Sequence, residues 1–168
     1  MVYSFKEIKF KFLEFFPLFL LLFISLTGSA VMDFKIFSIN VHYILIYYWV
    51  LKKPQALGYG FIFLSGIITD VMFGLPMGLT ALVLLVVAAF AAYVRVVTVR
   101  VSLFSDWMAF IPALLIANLV YFFILYLSDY SIDYFYLIKN SIFTFIFYPI
   151  LWIFFEILIR ITKPGAYA

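Results

Sequence analysis

The stretch GIITDVMFGLPMGLTAL, residues 66–82, lies in the middle of an almost continuously apolar chain and decides how that chain is expected to fold. It places one acid, Asp70, four residues before a turn, GLPMG at 74–78, that has no solvating side chain. This composition predicts two helices joined by a tight turn in an apolar medium. Gly74 is suited to end the first helix in a left-handed conformation, and Pro76 is suited to start the second, where its missing N–H costs nothing.

Asp70 is expected to close this turn. The start of a helix exposes N–H donors and the positive end of the helix dipole, for which a nearby carboxylate is the natural acceptor. We therefore predict that the Asp70 side chain accepts hydrogen bonds from the amides of Met77 and Gly78. The alternative is that Asp70 relays protons or binds a cation or substrate, because an acid within a membrane is by default a functional candidate. The sequence places no second acid to complete a relay.

Small residues along one face of the first helix predict that the two helices pack closely. Steps of four residues stay on nearly one helix face, and in lipid small residues let two backbones approach each other. The face in the first helix consists of Gly58, Ile62, Gly66, Asp70 and Gly74, and the alanines in the second are Ala81, Ala88, Ala89 and Ala92. Four of these are also candidate positions for packing against a partner helix: Gly58, Gly66, Ala88 and Ala92.

The composition indicates a protein dissolved in lipid. Of its 168 residues, 68% are hydrophobic and only 11% are charged, whereas soluble domains are about 45–50% apolar and about 25% charged. The apolar character extends along the whole length, so we predict one polytopic membrane domain over residues 1–168. The chain has no cysteine and one histidine, which excludes disulfides, a cysteine nucleophile and a metal site built from several histidines.

Six apolar runs are candidate membrane spans, at roughly 13–31, 36–51, 57–73, 76–94, 107–127 and 138–159. Their continuous apolar character favours helices over the alternating strands of a barrel. The second run is the weakest, because it falls short of the usual ~20 residues and contains Asn40 and His42. The first span is expected to remain uncleaved, since its apolar run is longer than that of a usual signal peptide.

The basic residues orient these spans. If the spans alternate in direction, nine cations fall on one side: Lys6, Lys9, Lys11, Lys52, Lys53, Arg95, Arg100, Arg160 and Lys163. The other side receives only Lys35 and Lys139, with three aspartates. By the positive-inside rule the basic side is cytoplasmic, so both termini are expected in the cytoplasm. The loops with Lys52, Lys53, Arg95 and Arg100 are candidate contacts for acidic lipid or partner surfaces.

The remaining polar residues are expected to have structural roles. His42 is expected to be a hydrogen-bonded packing residue, and Asn118 and Asn140 are candidates for hydrogen bonds between helices. Glu156 lies four residues before Arg160, a spacing that predicts an ion pair on one helix face. Ser105 and Asp106 are typical of a helix N-cap before the fifth span.

The turn residues resemble a known family. Gly66, Asp70, Gly74, Pro76 and Gly78 are similar to the central motif of the rod-shape-determining membrane protein MreD, with Met77 where leucine is usual. The resemblance covers about residues 57–95 in motif and the whole chain in length and span number. It implies a bacterial inner-membrane scaffold of the cell-elongation machinery. Its implied partners are MreC, MreB, RodZ, and RodA with its penicillin-binding transpeptidase. It further implies a six-helix bundle resembling the S-component fold of energy-coupling-factor (ECF) transporters.

Three function classes can be weighed on these residues. An enzyme is disfavoured, because the sequence shows no nucleophile–base pair and no paired acids at one depth. The alternative is a substrate-binding membrane subunit, S-component-like, for a vitamin or small solute. However, the outer loops of this chain are short and poor in the polar groups that a solute pocket needs. The first span also lacks the small-residue pattern of those subunits. We therefore expect a non-enzymatic scaffold, without cofactor, metal or nucleic acid.

Overall fold

The structure, a computed structural model, describes residues 5–27, 39–98, 102–130 and 133–162, with side chains from Phe15 in the first helix to Arg160 in the last. Within these ranges the protein is all-helical and has no strand. The described helices are α1 (Phe5–Thr27), α2 (Val41–Lys52), α3 (Tyr59–Phe73), α4 (Leu79–Val97), α5 (Leu103–Leu127) and α6 (Tyr134–Thr162), and a 3-10 turn (Pro54–Ala56) follows α2.

Each predicted apolar run coincides with one of these helices, although the boundaries differ. α1 begins at Phe5 rather than at residue 13, because lysine and glutamate before the apolar run are themselves good helix formers. The ends of the predicted runs at 28–31 and 36–38 lie outside the described residues. The cap of α5 is Ser102, whose Oγ accepts from the Ser105 amide at 3.2 Å. The expectation that Ser105 and Asp106 form this cap is therefore wrong.

Three helices in the described parts of the chain are long and apolar enough to cross a membrane: α4, α5, and α6 from Tyr134 to Arg160. The apolar part of α1, Phe15–Thr27, and α3 are shorter. α2 has 12 residues, so it is ~18 Å long at ~1.5 Å per residue, against ~30 Å for a bilayer core.

Contacts between helix ends show that neighbouring helices run in opposite directions. Ser25, near the end of α1, is hydrogen-bonded through Oγ to His42 Nε2 at the start of α2, at 3.1 Å. Asn118, in the second half of α5, donates from Nδ2 to Ser141 Oγ early in α6, at 2.9 Å. α3 and α4 are joined by the tight turn at 74–78. The expected packing role of His42 and the expected interhelical bond of Asn118 are both confirmed.

The shortest helix occupies the centre of the bundle. All ten side chains from His42 to Leu51 are buried, and α1, α4 and α6 pack around α2. Polar groups anchor α2 at both ends. The Asn40 amide donates to Thr144 Oγ1 at 2.9 Å, and the Tyr48 hydroxyl donates to Glu156 Oε2 at 3.0 Å. The helix that is weakest as a predicted span is thus the main element of the core.

The outside of the bundle is apolar. α5 and α6 expose large apolar side chains along their lengths, among them Leu115, Leu119 and Phe123 in α5 and Ile142, Ile146 and Ile150 in α6. In water, exposed apolar surfaces of this extent are avoided or covered by a partner. A lipid environment for α5 and α6 satisfies these side chains directly.

Candidate functional site

Asp70 holds the first turn of α4 from the preceding helix. Its side chain is fully buried, and its two carboxylate oxygens accept from two backbone amides: Gly78 N to Oδ2 at 2.8 Å and Thr80 N to Oδ1 at 2.9 Å. α4 begins after Gly78, which has no side chain to cap the helix, so Asp70 supplies the missing cap. The expected bond to Gly78 is present, whereas the second bond comes from Thr80 and not from Met77. We call this arrangement the Asp70 clasp.

The main chain of Asp70 also closes the end of its own helix. Gly74 adopts φ 62° and ψ 30°, the left-handed conformation predicted for it. The amides of Gly74 and Leu75 both point back to the Asp70 carbonyl, with Leu75 N at 2.9 Å. This pattern satisfies carbonyls that would otherwise be unpaired at the helix end. One residue therefore terminates α3 with its carbonyl and starts α4 with its carboxylate.

Pro76 serves the turn and not the helix. α4 begins at Leu79, three residues after Pro76, so the prediction that this proline occupies the first helical position is wrong. The Pro76 carbonyl accepts from Leu79 N at 3.1 Å, which closes a four-residue turn. Gly78 at φ 90° and ψ −7° has the conformation of the third residue of a type II turn, where glycine is favoured.

α3 packs closely against α4, as predicted, at Gly66, whereas Gly58 and Ala89 of the predicted faces are exposed. Gly66 is so close to Ala81 that a Cβ on Gly66 would overlap the Ala81 backbone. Ala88 is also fully buried within the chain. Gly66 and Ala88 are thus both buried by packing inside the bundle, which leaves neither exposed to a partner helix. Of the four proposed positions, Gly58 is exposed and Ala92 is partly exposed.

A cavity of about 380 Å³ opens beside the clasp, at the end of the bundle where α3 ends and α4 starts. The walls also include the start of α2, the end of α5 and the start of α6. Its polar lining comes mainly from helices: Asn40, His42, Tyr43, Thr69, Thr80, Asn118, Tyr121, Tyr130, Asp133, Tyr136 and Asn140. We call it the polar cavity. Its size falls within the range of small-molecule sites, about 300–1,000 Å³.

The Asp70 clasp and the polar cavity share a wall. Thr69 precedes Asp70, and Thr80 is one of the two residues whose amides Asp70 holds; both line the cavity. Asp133 supplies the one carboxylate among the described lining residues, and its Oδ1 accepts from the Tyr136 amide at 3.1 Å. The clasp therefore fixes the shape of one side of the cavity.

A second cavity, of about 830 Å³, lies at the opposite end of the bundle. Its cationic lining residues are Lys52 and Lys53, at the end of α2, and Arg95, in the last turn of α4. We call it the basic cavity. Three of the four basic residues singled out in the sequence thus come together, and the fourth, Arg100, lies outside the described residues.

A buried acid beside the basic cavity has no counterpart among the functional candidates predicted from the sequence. Asp106 is almost fully buried. Its Oδ2 accepts from Trp152 Nε1 at 3.0 Å and lies 3.9 Å from Lys52 Nζ. The Lys52 ammonium also lies 5.1 Å from the centre of the Trp152 ring, within the range of a cation–π interaction. Asp106 lies in the first turn of α5, and nothing in its local sequence distinguishes it from a surface acid.

Three tyrosines near Asp106 differ in their hydroxyl partners. Tyr48 donates to Glu156, which also pairs with Arg160 at 3.6 Å, so the predicted Glu156–Arg160 pair is confirmed. Tyr47 and Tyr148 pack together with ring centres 5.9 Å apart. Neither of their buried hydroxyls has a hydrogen-bond partner in the described part of the protein.

The side chains of the clasp and of the two cavities can bind a ligand or pack against other groups. Among the described residues no group of three or more His, Cys, Asp or Glu side chains is arranged to hold a metal ion. No protein-family model, curated protein or solved structure matches the chain. The clasped hairpin and the two cavities are therefore the features from which a function can be inferred.

Proposed function

We propose that this protein is a non-enzymatic scaffold of the bacterial cell-elongation machinery, of the MreD type, that binds MreC and helps couple MreB to peptidoglycan synthesis. The observation that carries the proposal is the Asp70 clasp. The motif residues Gly66, Asp70, Gly74 and Gly78 each have a distinct part in one hairpin: close packing, capping, helix ending and turning. The spacing on which the family resemblance rests is the spacing that this hairpin requires.

The proposed location is the inner membrane, with six spans and both termini in the cytoplasm. The assignment of nine basic residues to one side assumes that successive spans run in opposite directions. The alternating direction of the described helices supports this assumption. Lys52, Lys53, Arg95 and Arg160 lie where helices end at one end of the bundle, whereas Asp133 lies at the other. Under the positive-inside rule the basic end faces the cytoplasm.

A scaffold of this kind binds its partners through helix faces that the bundle leaves open. The outward faces of α3 and α4 expose Phe63, Leu64, Leu82 and Tyr93, and no atom lies within 4 Å of the point that a Cβ at Gly60 would occupy. In lipid, helices associate through close packing of their side chains and through a small number of hydrogen bonds between them. We propose this outward surface as the contact for the membrane-spanning segment of MreC, in place of the buried Gly66 and Ala88.

Depletion and affinity capture test the scaffold proposal. Depletion in a rod-shaped host should give round, swelling cells, and an affinity-tagged copy should retain MreC in detergent. A tagged six-span protein unrelated to cell shape is the control for capture. Cells that stay rod-shaped after depletion, together with capture no better than the control, would contradict the proposal.

The polar cavity favours a second candidate function, a solute-binding subunit of a transporter. The outer loops are poor in polar groups, and in the sequence this disfavours such a function. In the structure, however, Asn118 of α5, Asn140 of α6 and Asn40, just before α2, line one cavity. Tyrosine rings and a single carboxylate among the described lining residues suit a neutral or cationic molecule with a planar apolar part.

Mass spectrometry of the purified protein tests this second candidate. A bound vitamin-sized molecule that is lost in Asn118→Ala, together with loss of its uptake in depleted cells of normal shape, would replace the scaffold proposal. Protein without such a molecule, from cells that round up on depletion, would eliminate the transporter subunit.

A further inference from the structure

The basic cavity combines cationic side chains with an apolar wall. Its described lining includes Lys52, Lys53 and Arg95 and no acidic side chain. Phe15 and Phe61 line the same cavity and are exposed. A cavity with this lining attracts an anion that carries an apolar part.

The three cations are not equivalent. Lys52 is only 19% exposed and is engaged by Asp106 and by the Trp152 ring. Lys53 and Arg95 form no ion pair with any described residue. Since Lys52 is already partly neutralised, Lys53 and Arg95 are the groups available to an external anion.

The backbone holds the two free cations on different elements. Lys53 ends α2, where its amide donates to Trp49 O at 2.7 Å, and its carbonyl accepts from Ala56 N at 3.0 Å in the 3-10 turn. Arg95 projects from the last turn of α4. An anion that contacts both side chains would link the end of α2 to the end of α4. Among the described residues no ion pair joins these two helices.

We propose that the basic cavity binds an anionic phospholipid, with its headgroup phosphate at Lys53 and Arg95 and its acyl chains along the wall formed by Phe15 and Phe61. The inference rests on the proposed membrane location and is independent of the role in cell shape. Basic cavities at the cytoplasmic surface are favourable sites for such headgroups, because the guanidinium and ammonium groups donate charge-assisted hydrogen bonds to phosphate oxygens.

Native mass spectrometry of the full chain in neutral detergent tests this site. Phosphatidylglycerol should remain bound where phosphatidylcholine with the same acyl chains does not. The double variant Lys53→Gln/Arg95→Gln should bind phosphatidylglycerol about 25-fold more weakly, since each cation near a membrane surface contributes about fivefold. The charge-preserving variant Lys53→Arg/Arg95→Lys should retain the lipid.

Arg160→Gln is the matched control. Arg160 is also a cation at this end of the bundle, but its side chain is 76% exposed, is paired with Glu156 and does not line the basic cavity. Its loss should leave binding unchanged. Equal binding of the two lipids by the wild-type protein overturns the proposal without any variant. An equal effect of Arg160→Gln, or displacement of the lipid by glycerol phosphate alone, also overturns it.

Discussion

Gly66 of α3 lies directly against the backbone of Ala81 in α4, so the two helices touch at a point where neither has a bulky side chain between them. One turn further along α3, Asp70 reaches the amides of Gly78 and Thr80. Those hydrogen bonds require the close approach, because a carboxylate on a short side chain cannot bridge widely separated helices. Close packing and capping are therefore two consequences of the same spacing.

Gly66→Ala should destabilise the protein by about 1–3 kcal/mol, the usual cost of overpacking. The added methyl group meets backbone atoms of Ala81, which cannot rotate away. Gly60→Ala is the matched control in the same helix, since no atom lies within 4 Å of the point that a Cβ at Gly60 would occupy. Thermal unfolding in detergent should show a loss for the first variant and none for the second; equal midpoints would contradict the packing.

Asp70→Leu should lower stability more than Asp70→Asn. Leucine leaves two buried amides without acceptors, each costing about 1–3 kcal/mol, whereas the asparagine oxygen still serves one of them. The expected order of unfolding midpoints is therefore Asp70, then Asn, then Leu. If Asn were as damaging as Leu to both abundance and function, the negative charge itself would be required and the clasp would not explain this residue.

Gly78→Ala should cost about 1–2 kcal/mol, the penalty for placing an ordinary L-residue in the left-handed region. Space does not cause this cost, because nothing lies within 4 Å of a Cβ at Gly78, where φ is +90°. Gly78→Asn should be milder, since asparagine tolerates this conformation. Gly60→Ala, at a position inside α3 without a positive φ and with no atom within 4 Å of its Cβ position, is the control and should show no loss of stability in the same melting experiment.

Tyr48→Phe should destabilise the protein by about 2 kcal/mol, because its hydroxyl donates to the Glu156 carboxylate and bonds to charged groups contribute about 1.5–3 kcal/mol. Tyr47→Phe and Tyr148→Phe should be neutral or stabilising, since each removes a buried hydroxyl without a protein partner among the described residues. All three changes keep the ring. Similar losses for the three variants would show that Tyr47 and Tyr148 have hydrogen-bond partners after all.

Reporter fusions should locate both ends of the bundle. Fusions after Lys53, after Arg100 and at the C-terminus are expected in the cytoplasm, and a fusion after Asp133 is expected outside, because basic residues favour the cytoplasmic side. A periplasmic reading after Lys53 would remove α2 from the set of spans.

The sequence predicts the helices and most of the hairpin, because these depend on local pattern. Gly74 could be assigned a left-handed conformation, and Asp70 a bond to Gly78, from their positions beside the turn alone. The second amide that donates to Asp70 belongs to Thr80 rather than to Met77 because of the turn geometry. Pro76 lies in the turn, so α4 starts later than predicted and presents a different amide to Asp70.

The other features could not be predicted from the sequence, because they depend on how distant parts of the chain pack together. Gly66 and Ala88 have the composition of a partner surface, and only the fold reveals that this chain already covers them. The polar cavity escapes notice because Asn40, Asn118 and Asn140 belong to different parts of the chain and are each ordinary in the sequence. A search for polar residues near helix ends on one side of the bundle would have found it.

The central position of α2 has a consequence for how the protein is made. Its buried side chains are covered by α4 and α6 as well as α1, and the ribosome completes α2 before it has synthesised either α4 or α6. A helix of ~18 Å is too short to cross the bilayer core by itself. In the proposed membrane location, α2 can therefore be covered on all sides only after α4 and α6 have been synthesised, so its burial is expected to be a late step in the assembly of the bundle.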